Sequence, residues 1–283
     1  MKKPLISGIT AAVAIAVVIM VLYSTPQREP ENFETLASKY FARDSGWTMV
    51  PSTSVFQTYV RESDIKTEGG RQVYGRVILE LDPTVNYEEV KTDGKTVVVY
   101  PTFTASAYTE PGFYTFYRGE CDTSCLTVQI QNNFVQPQAN PNALQVFRLL
   151  GYPIITDVDI DKDPSIVSKY DKIIMLHSEY VTKEMFDVIT GHPNVIYLYP
   201  NVLYAEVKSD YEKNTITLIR GHNYPAKEIK NGFDWEFDNT PMEYERTCND
   251  AQFYRINNGW MLNCWPENVI HKSLNLLKTI KDL

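Results

Sequence analysis

Cysteines, histidines and basic side chains are all in short supply, and each shortage excludes something. The four cysteines, Cys121 and Cys125 in GECDTSC and then Cys248 and Cys264, fall in CxxxC and Cx15C spacing. A zinc ribbon needs two close CxxC-type pairs, so the pattern does not fit one. The four histidines form no HxxxH pair. Lys and Arg number 27 against 35 Asp and Glu, a net charge of −8. Such a chain repels nucleic acid and anionic lipid headgroups, and a nucleic-acid partner is not expected. There is no G-x-S-x-G elbow and no glycine-rich phosphate loop, which leaves a serine hydrolase triad and nucleotide binding without support. Internal repeats and low-complexity tracts are also missing.

One long apolar run is present. Met1-Lys2-Lys3 precedes nineteen uncharged residues from Leu5 to Tyr23, enough as a helix to span roughly 28 Å at about 1.5 Å per residue. A cleaved signal peptide would have a shorter apolar region, ending in a small-x-small site. This run ends in VLYSTPQREP, without an A-x-A and without a following cysteine to carry a lipid. The expectation is an uncleaved single-pass anchor that takes the lipid bilayer as partner through residues 5–23. Lys2 and Lys3 would remain cytoplasmic and place the main domain outside the cell membrane. An even cysteine count outside the membrane reads as two disulfides. Cys121–Cys125 with Cys248–Cys264 is the simplest of three pairings.

Residues 1–24 are thus expected as the anchor, and 25–95 as a linker with a small β-rich region. Residues 96–283 would form an α/β domain with a C-terminal extension. STPQREPEN suits a juxtamembrane linker, and FETLASKYFA (33–42) has helical spacing. SVFQTYV and RQVYGRVILEL alternate like strands, with turns at Gly69-Gly70 and Asp93-Gly94. From Thr96 the pattern changes to continuous β-branched runs, the mark of strands buried on both faces. KTVVVYP, PIITDVD, KIIMLH and NVIYLYP alternate with helical stretches at NALQVFRLLGY, DPSIVSKY and TKEMFDVIT. This order predicts an open, mainly parallel sheet with flanking helices. VLYAEV, NTITLIRGH and FDWEFDN read as further strands or extended segments, and HKSLNLLKTIKDL as an amphipathic helix.

Ligands of open α/β sheets bind at the carboxyl ends of the strands. That rule gathers PTFTASAYT (101–109), LHSEYVT (176–182) and LYPNVLY (198–204) around one crevice. Tyr108, His177, Glu179, Tyr180 and Asn201 are its candidates; His222 in GHNYP could enter from the tail, although a turn cap is its simpler reading. Carboxylate, imidazole and phenol groups together can bind a metal or share proton transfer near neutral pH.

A strand ending in H-x-E-Y, followed by a helix that begins with a small hydroxyl residue, resembles the C-terminal domain of the N,N-dimethylformamidase large subunit. That domain has a class I glutamine amidotransferase-like fold. PTFTASAY is similar to the family's P-T-x-T-x-x-A-Y, and FRLLGYPIITDVDI to its helix-Gly-Tyr-strand segment; together they cover roughly residues 96–205. The resemblance implies amide hydrolysis at a mononuclear iron held by two tyrosines and a glutamate, with a histidine beside it. Motif for motif, Glu179 falls on the glutamate ligand, Tyr108 on one tyrosine and His177 on the nearby histidine, which would then act as a catalytic general base or as a hydrogen-bond donor to the substrate. Ser178 replaces a usual proline. The second tyrosine has no matching motif, although Tyr114 and Tyr117 lie in the right part of the chain. The family's small-subunit partner is not in this chain. Glutamine amidotransferases carry a nucleophilic cysteine where LHSEY stands, so glutaminase chemistry is not expected.

Two functions follow as expectations. One is a membrane-anchored, extracytoplasmic, metal-assisted hydrolase of small amides. The other is a non-catalytic surface-binding or envelope protein that has lost the metal site.

Overall fold

Alternating patterns in the first third of the chain give way to unbroken apolar runs, and the strands follow suit. The computed structural model describes residues 32–68 and 71–283. The anchor expected over 5–23 lies outside them, and among the described residues no helix is long and apolar enough to cross a membrane. Helix α1 (Phe33–Tyr40) lies mostly in a separate N-terminal unit, with Glu34 in its first turn and Lys39 in its last, the charge order that the helix dipole favours. Tyr40–Leu283 forms one compact unit.

Within that unit, β1 (Trp47–Val50), β2 (Phe56–Arg61) and β5 (Val77–Leu81) form an antiparallel three-stranded sheet, while β3 (Ile65–Glu68) and β4 (Arg71–Tyr74) make a hairpin. The run 71–81 reads as one strand but is two, broken at Gly75 and Arg76. Phe56 and Leu79 belong to the same buried cluster as Val98 and Ile174 of the main sheet. The β-rich region therefore shares its core with the α/β part.

The main sheet contains β6 (Thr96–Tyr100), β8 (Ile154–Thr156), β9 (Lys172–Met175), β11 (Val195–Tyr197), β14 (Phe253–Ile256) and β15 (Gly259–Leu262), in the order β14-β15-β11-β9-β6-β8. The last five strands of that order run parallel, and β14 is an antiparallel edge. Helices flank both faces. Val98, Ile174 and Ile196 point to the side of α4 (Pro141–Leu149) and α7 (Leu274–Asp282). Val97, Val99, Ile173 and Val195 face α5 (Asp157–Lys162) and α6 (Lys183–Gly191). This period-two division explains why the strand runs are apolar throughout.

A second sheet has the order β10 (Tyr180–Val181), β12 (Ala205–Asp210), β13 (Thr215–Arg220) and β7 (Thr127–Gln129). It takes VLYAEV and NTITLIRGH as antiparallel neighbours. FDWEFDN, by contrast, forms turns: the Asn231 side chain accepts from the Phe233 and Trp235 amides, and those rings pack against the core. Gly259 is needed for β15 to lie beside β11, because a Cβ there would meet the Val195 carbonyl oxygen at 1.8 Å. The disulfides are Cys121–Cys125 and Cys248–Cys264, bonds compatible with an oxidising, extracytoplasmic setting.

Helix α4 begins with Pro141 and receives no side-chain cap from Asn140. Glu267 supplies one from a distance. Its carboxyl accepts from the amides of Asn142 at 2.6 Å and Ala143 at 3.4 Å, and from the Tyr199 hydroxyl at 2.7 Å. Burial pushes its pKa from 4.5 up to about 7, against the pull of those hydrogen bonds. The folded state then holds this proton more tightly than the unfolded chain does. The stability it contributes is complete below about pH 4.5 and lost as the pH rises through about 7. The urea midpoint should fall between pH 5 and pH 8, by the equivalent of about 3 kcal/mol at most. Glu267→Gln should flatten that slope; an unchanged slope in the variant would assign the pH dependence to other groups.

Candidate metal and catalytic site

The chain runs from β6 to β8 on one side and then returns to β9 on the other. The order of the sheet therefore reverses between β6 and β9, and a crevice opens beyond their carboxyl ends. Two loops carry the candidates into it. After β6, Pro101 leads into α2 (Thr102–Ala107), which delivers Tyr108 at its C-cap. The N-terminus of α2 is held by buried Asp157, whose carboxyl accepts from the Phe103 amide at 2.8 Å. After β9, the chain turns sharply through Leu176, His177 and Ser178 before β10. Thr104 of α2 fastens the two loops together, its hydroxyl oxygen accepting from the amides of Glu179 at 2.9 Å and Tyr180 at 3.2 Å.

Three other segments converge on the loop of Glu179, whose side chain is fully buried. The Tyr114 hydroxyl, from α3 (Phe113–Tyr117), lies 3.2 and 3.5 Å from the two carboxylate oxygens. The Tyr108 hydroxyl accepts from Tyr114 at 2.5 Å, with the rings stacked 4.1 Å apart. His222 brings its Nε2 to 2.7 Å from Glu179 Oε1. His177 places its Nε2 at 3.6 Å from Oε2, too far for a hydrogen bond. Two phenols, one carboxylate and two imidazoles thus face one small volume. Among the described residues, no three His, Cys, Asp or Glu side chains are arranged to hold a metal ion. A cation here would have to use the phenols.

Electrostatics favour such a guest. Burial, and then the Glu179 charge, hold the Tyr108 and Tyr114 phenols well above their ordinary range. Burial works to raise the Glu179 pKa too, but the His222 hydrogen bond and charge, aided by His177 and Tyr108, keep it below the usual carboxylate range. The carboxylate is ionised while the two phenols beside it hold their protons, which leaves the oxygen side of the cluster net negative. His177 is fixed from behind. Its amide donates to Asn140 Oδ1 at 2.8 Å, and Nδ1 faces the Gln138 carbonyl at 3.2 Å. That carbonyl can only accept, so Nδ1 carries the proton and Nε2 presents a lone pair. Nε2 is buried and has no hydrogen-bond partner. The Trp265 ring, 4.5 Å away and edge-on, walls the imidazole in. Burial lowers the His177 pKa, the Glu179 charge offsetting it only in part.

Each residue picked from the sequence can now be placed. Tyr108, His177, Glu179 and His222 meet at the centre. Tyr180 sits just behind, its hydroxyl 3.3 Å from that of Tyr117 and its ring stacked against His222. Asn201 is buried in the loop after β11, with φ +64 and an unpartnered Oδ1. Nearby Glu243 has its carboxyl pKa raised first by burial, a shift that Asn201 opposes and the Glu179 charge reinforces. Glu243 drew no attention in the sequence because GFDWEFDNTPMEYE carries acidic residues throughout. His222 departs from the expectation of a simple turn cap. Gly221 lies so close to β12 that a Cβ would meet the Ala205 Cβ at 2.8 Å, and this approach carries the imidazole to Glu179. No family model matches the chain, and comparison with curated proteins finds no match.

Proposed function

We propose that this chain is a metal-assisted hydrolase of small amides, built on a class I glutamine amidotransferase-like domain that resembles the N,N-dimethylformamidase large subunit. The observation that carries the reading is the convergence of Tyr108, Tyr114 and Glu179. Three oxygen donors from three segments meet beside an unpartnered histidine nitrogen. Tyr114 supplies the second tyrosine for which the sequence has no motif. Two phenolates and a carboxylate form a hard, trianionic donor set suited to ferric iron. Iron held there would act as a Lewis acid on a carbonyl oxygen or a water.

The chain's own residues have separate tasks. The lone pair on His177 Nε2 is positioned to accept a proton from an attacking water and to return it to the departing amine. The Gln138 carbonyl keeps the ring in that tautomer, and Asn140 fixes the backbone that carries it. His222 holds Glu179 through Oε1, the oxygen nearer Tyr114, and fixes the carboxylate plane. Asn201 and Glu243 offer an amide oxygen and a carboxyl as acceptors for an N–H of a bound substrate. Anchoring through residues 5–23 would present this site on the outer face of the cell membrane.

The test is to incubate the full-length chain, purified in mild detergent and supplied with iron, with formamide, acetamide and N,N-dimethylformamide, following amine or ammonia release. Turnover that is lost in Glu179→Ala supports the reading. A protein that binds iron stoichiometrically yet releases no amine from any amide is instead a surface-binding relative, with the centre kept for a structural purpose.

A further inference from the structure

A second cleft, of about 720 Å³, opens between the β-rich sheet and the α/β part within the Tyr40–Leu283 unit. None of the residues gathered around Glu179 lines it. Tyr40, Phe41 and Phe134 form an aromatic wall, with ring centroids 5.0–5.7 Å apart. The polar groups are more telling. The Arg76 guanidinium lies 3.8 Å over the Tyr40 ring and 5.1 Å from that of Trp47. Its Nε is buried without a hydrogen-bond partner. Desolvation is the strongest influence on its charge; Tyr40, Asp44 and Asp64 oppose it only through longer-range attraction, and the Arg61 charge adds to it. Across the cleft, His271 is neutral, its pKa brought down to about 4 by burial and by Lys272. Its Nδ1 is also buried and unpartnered, and Lys272 stands exposed at the rim.

A half-buried guanidinium with an unpartnered Nε and no ion pair among the described residues is costly unless an anion completes it. The setting is unusual in a chain of net charge −8. We propose that this cleft binds a small organic carboxylate with an aromatic or alicyclic body. Arg76 and His271 hold the carboxylate, and Tyr40, Phe41 and Phe134 cover the apolar part. A purely inorganic anion would leave the aromatic wall unused, and a neutral aromatic would leave Arg76 unpaired.

Isothermal titration of the full-length chain in nanodiscs with phenylacetate and with uncharged 2-phenylethanol tests this. Phenylacetate should bind saturably at one site, with 2-phenylethanol at least tenfold weaker. Arg76→Gln should weaken phenylacetate tenfold or more. Val135→Glu, at a rim position that is 71% exposed, should do the same by repulsion without touching the core, and it decides the matter if Arg76→Gln misfolds. Glu179→Ala should bind phenylacetate like wild type. Absence of saturable binding, equal binding of the alcohol, or full affinity in Val135→Glu would overturn the proposal. So would loss of binding in Glu179→Ala, which would move the ligand to the other site.

Discussion

Tyr114→Phe is expected to weaken iron retention about 100-fold or more, whereas Tyr117→Phe leaves it within a few-fold of wild type. The two tyrosines are three residues apart on the same short helix, and both are candidates by position alone. Their surroundings separate them. The Tyr114 hydroxyl touches Tyr108 at 2.5 Å and Glu179 at 3.2 Å. The Tyr117 hydroxyl reaches Tyr180 instead, at 3.3 Å. Removing one phenol oxygen takes away a third of the proposed donor set at Tyr114 but only a hydroxyl pair at Tyr117. Competition with a chelator gives the affinities, and visible absorption from iron–phenolate charge transfer reports the ligand directly. Equal losses in the two variants, or an unchanged visible band in Tyr114→Phe, would mean the second phenol has been misassigned.

His177→Gln should keep the metal and lose the reaction, with kcat down by about 10²–10⁴-fold. Glutamine approximates the volume of the ring but offers no basic nitrogen. The hydrogen bonds of the histidine run to Asn140 and Gln138 and none to Glu179, so replacing the ring leaves the oxygens around Glu179 in place. Metal analysis beside steady-state amide hydrolysis separates the two effects. If iron disappears along with activity, His177 is a ligand; if the rate survives, the proton acceptor lies elsewhere.

Much of this architecture was legible because it is written in periods. The runs at 96–100, 172–175 and 195–197 are apolar at every position since both faces of the sheet are covered, and Thr182 announces α6 by capping the Met185 amide. The strand-end rule then brought Tyr108, His177 and Glu179 together without any contact being known. What stayed hidden is what non-local geometry decides. β15 pairs with its sequence neighbour β14, yet it also pairs in parallel with β11, more than sixty residues earlier. Tyr114 belongs to a five-residue helix without periodicity, in a chain of nineteen tyrosines. GHNYP has the composition of an ordinary turn, and only the close approach of Gly221 to Ala205 sends His222 inward.

The fold explains why such a site sits where it does. The β6–β9 reversal leaves a crevice that needs no cavity within the core, and Thr104 ties its two walls through backbone amides. Glu179 consequently has a fixed backbone, a buried carboxylate and neighbours on every side, which is the preorganisation a metal centre requires. The most direct test is elemental analysis of the full-length chain, purified without chelator and alongside Glu179→Ala. Close to one iron per chain is expected in the wild type and none in the variant. Wild-type protein that holds no transition metal, even after incubation with ferrous and ferric salts, would rule out a metal centre at Glu179.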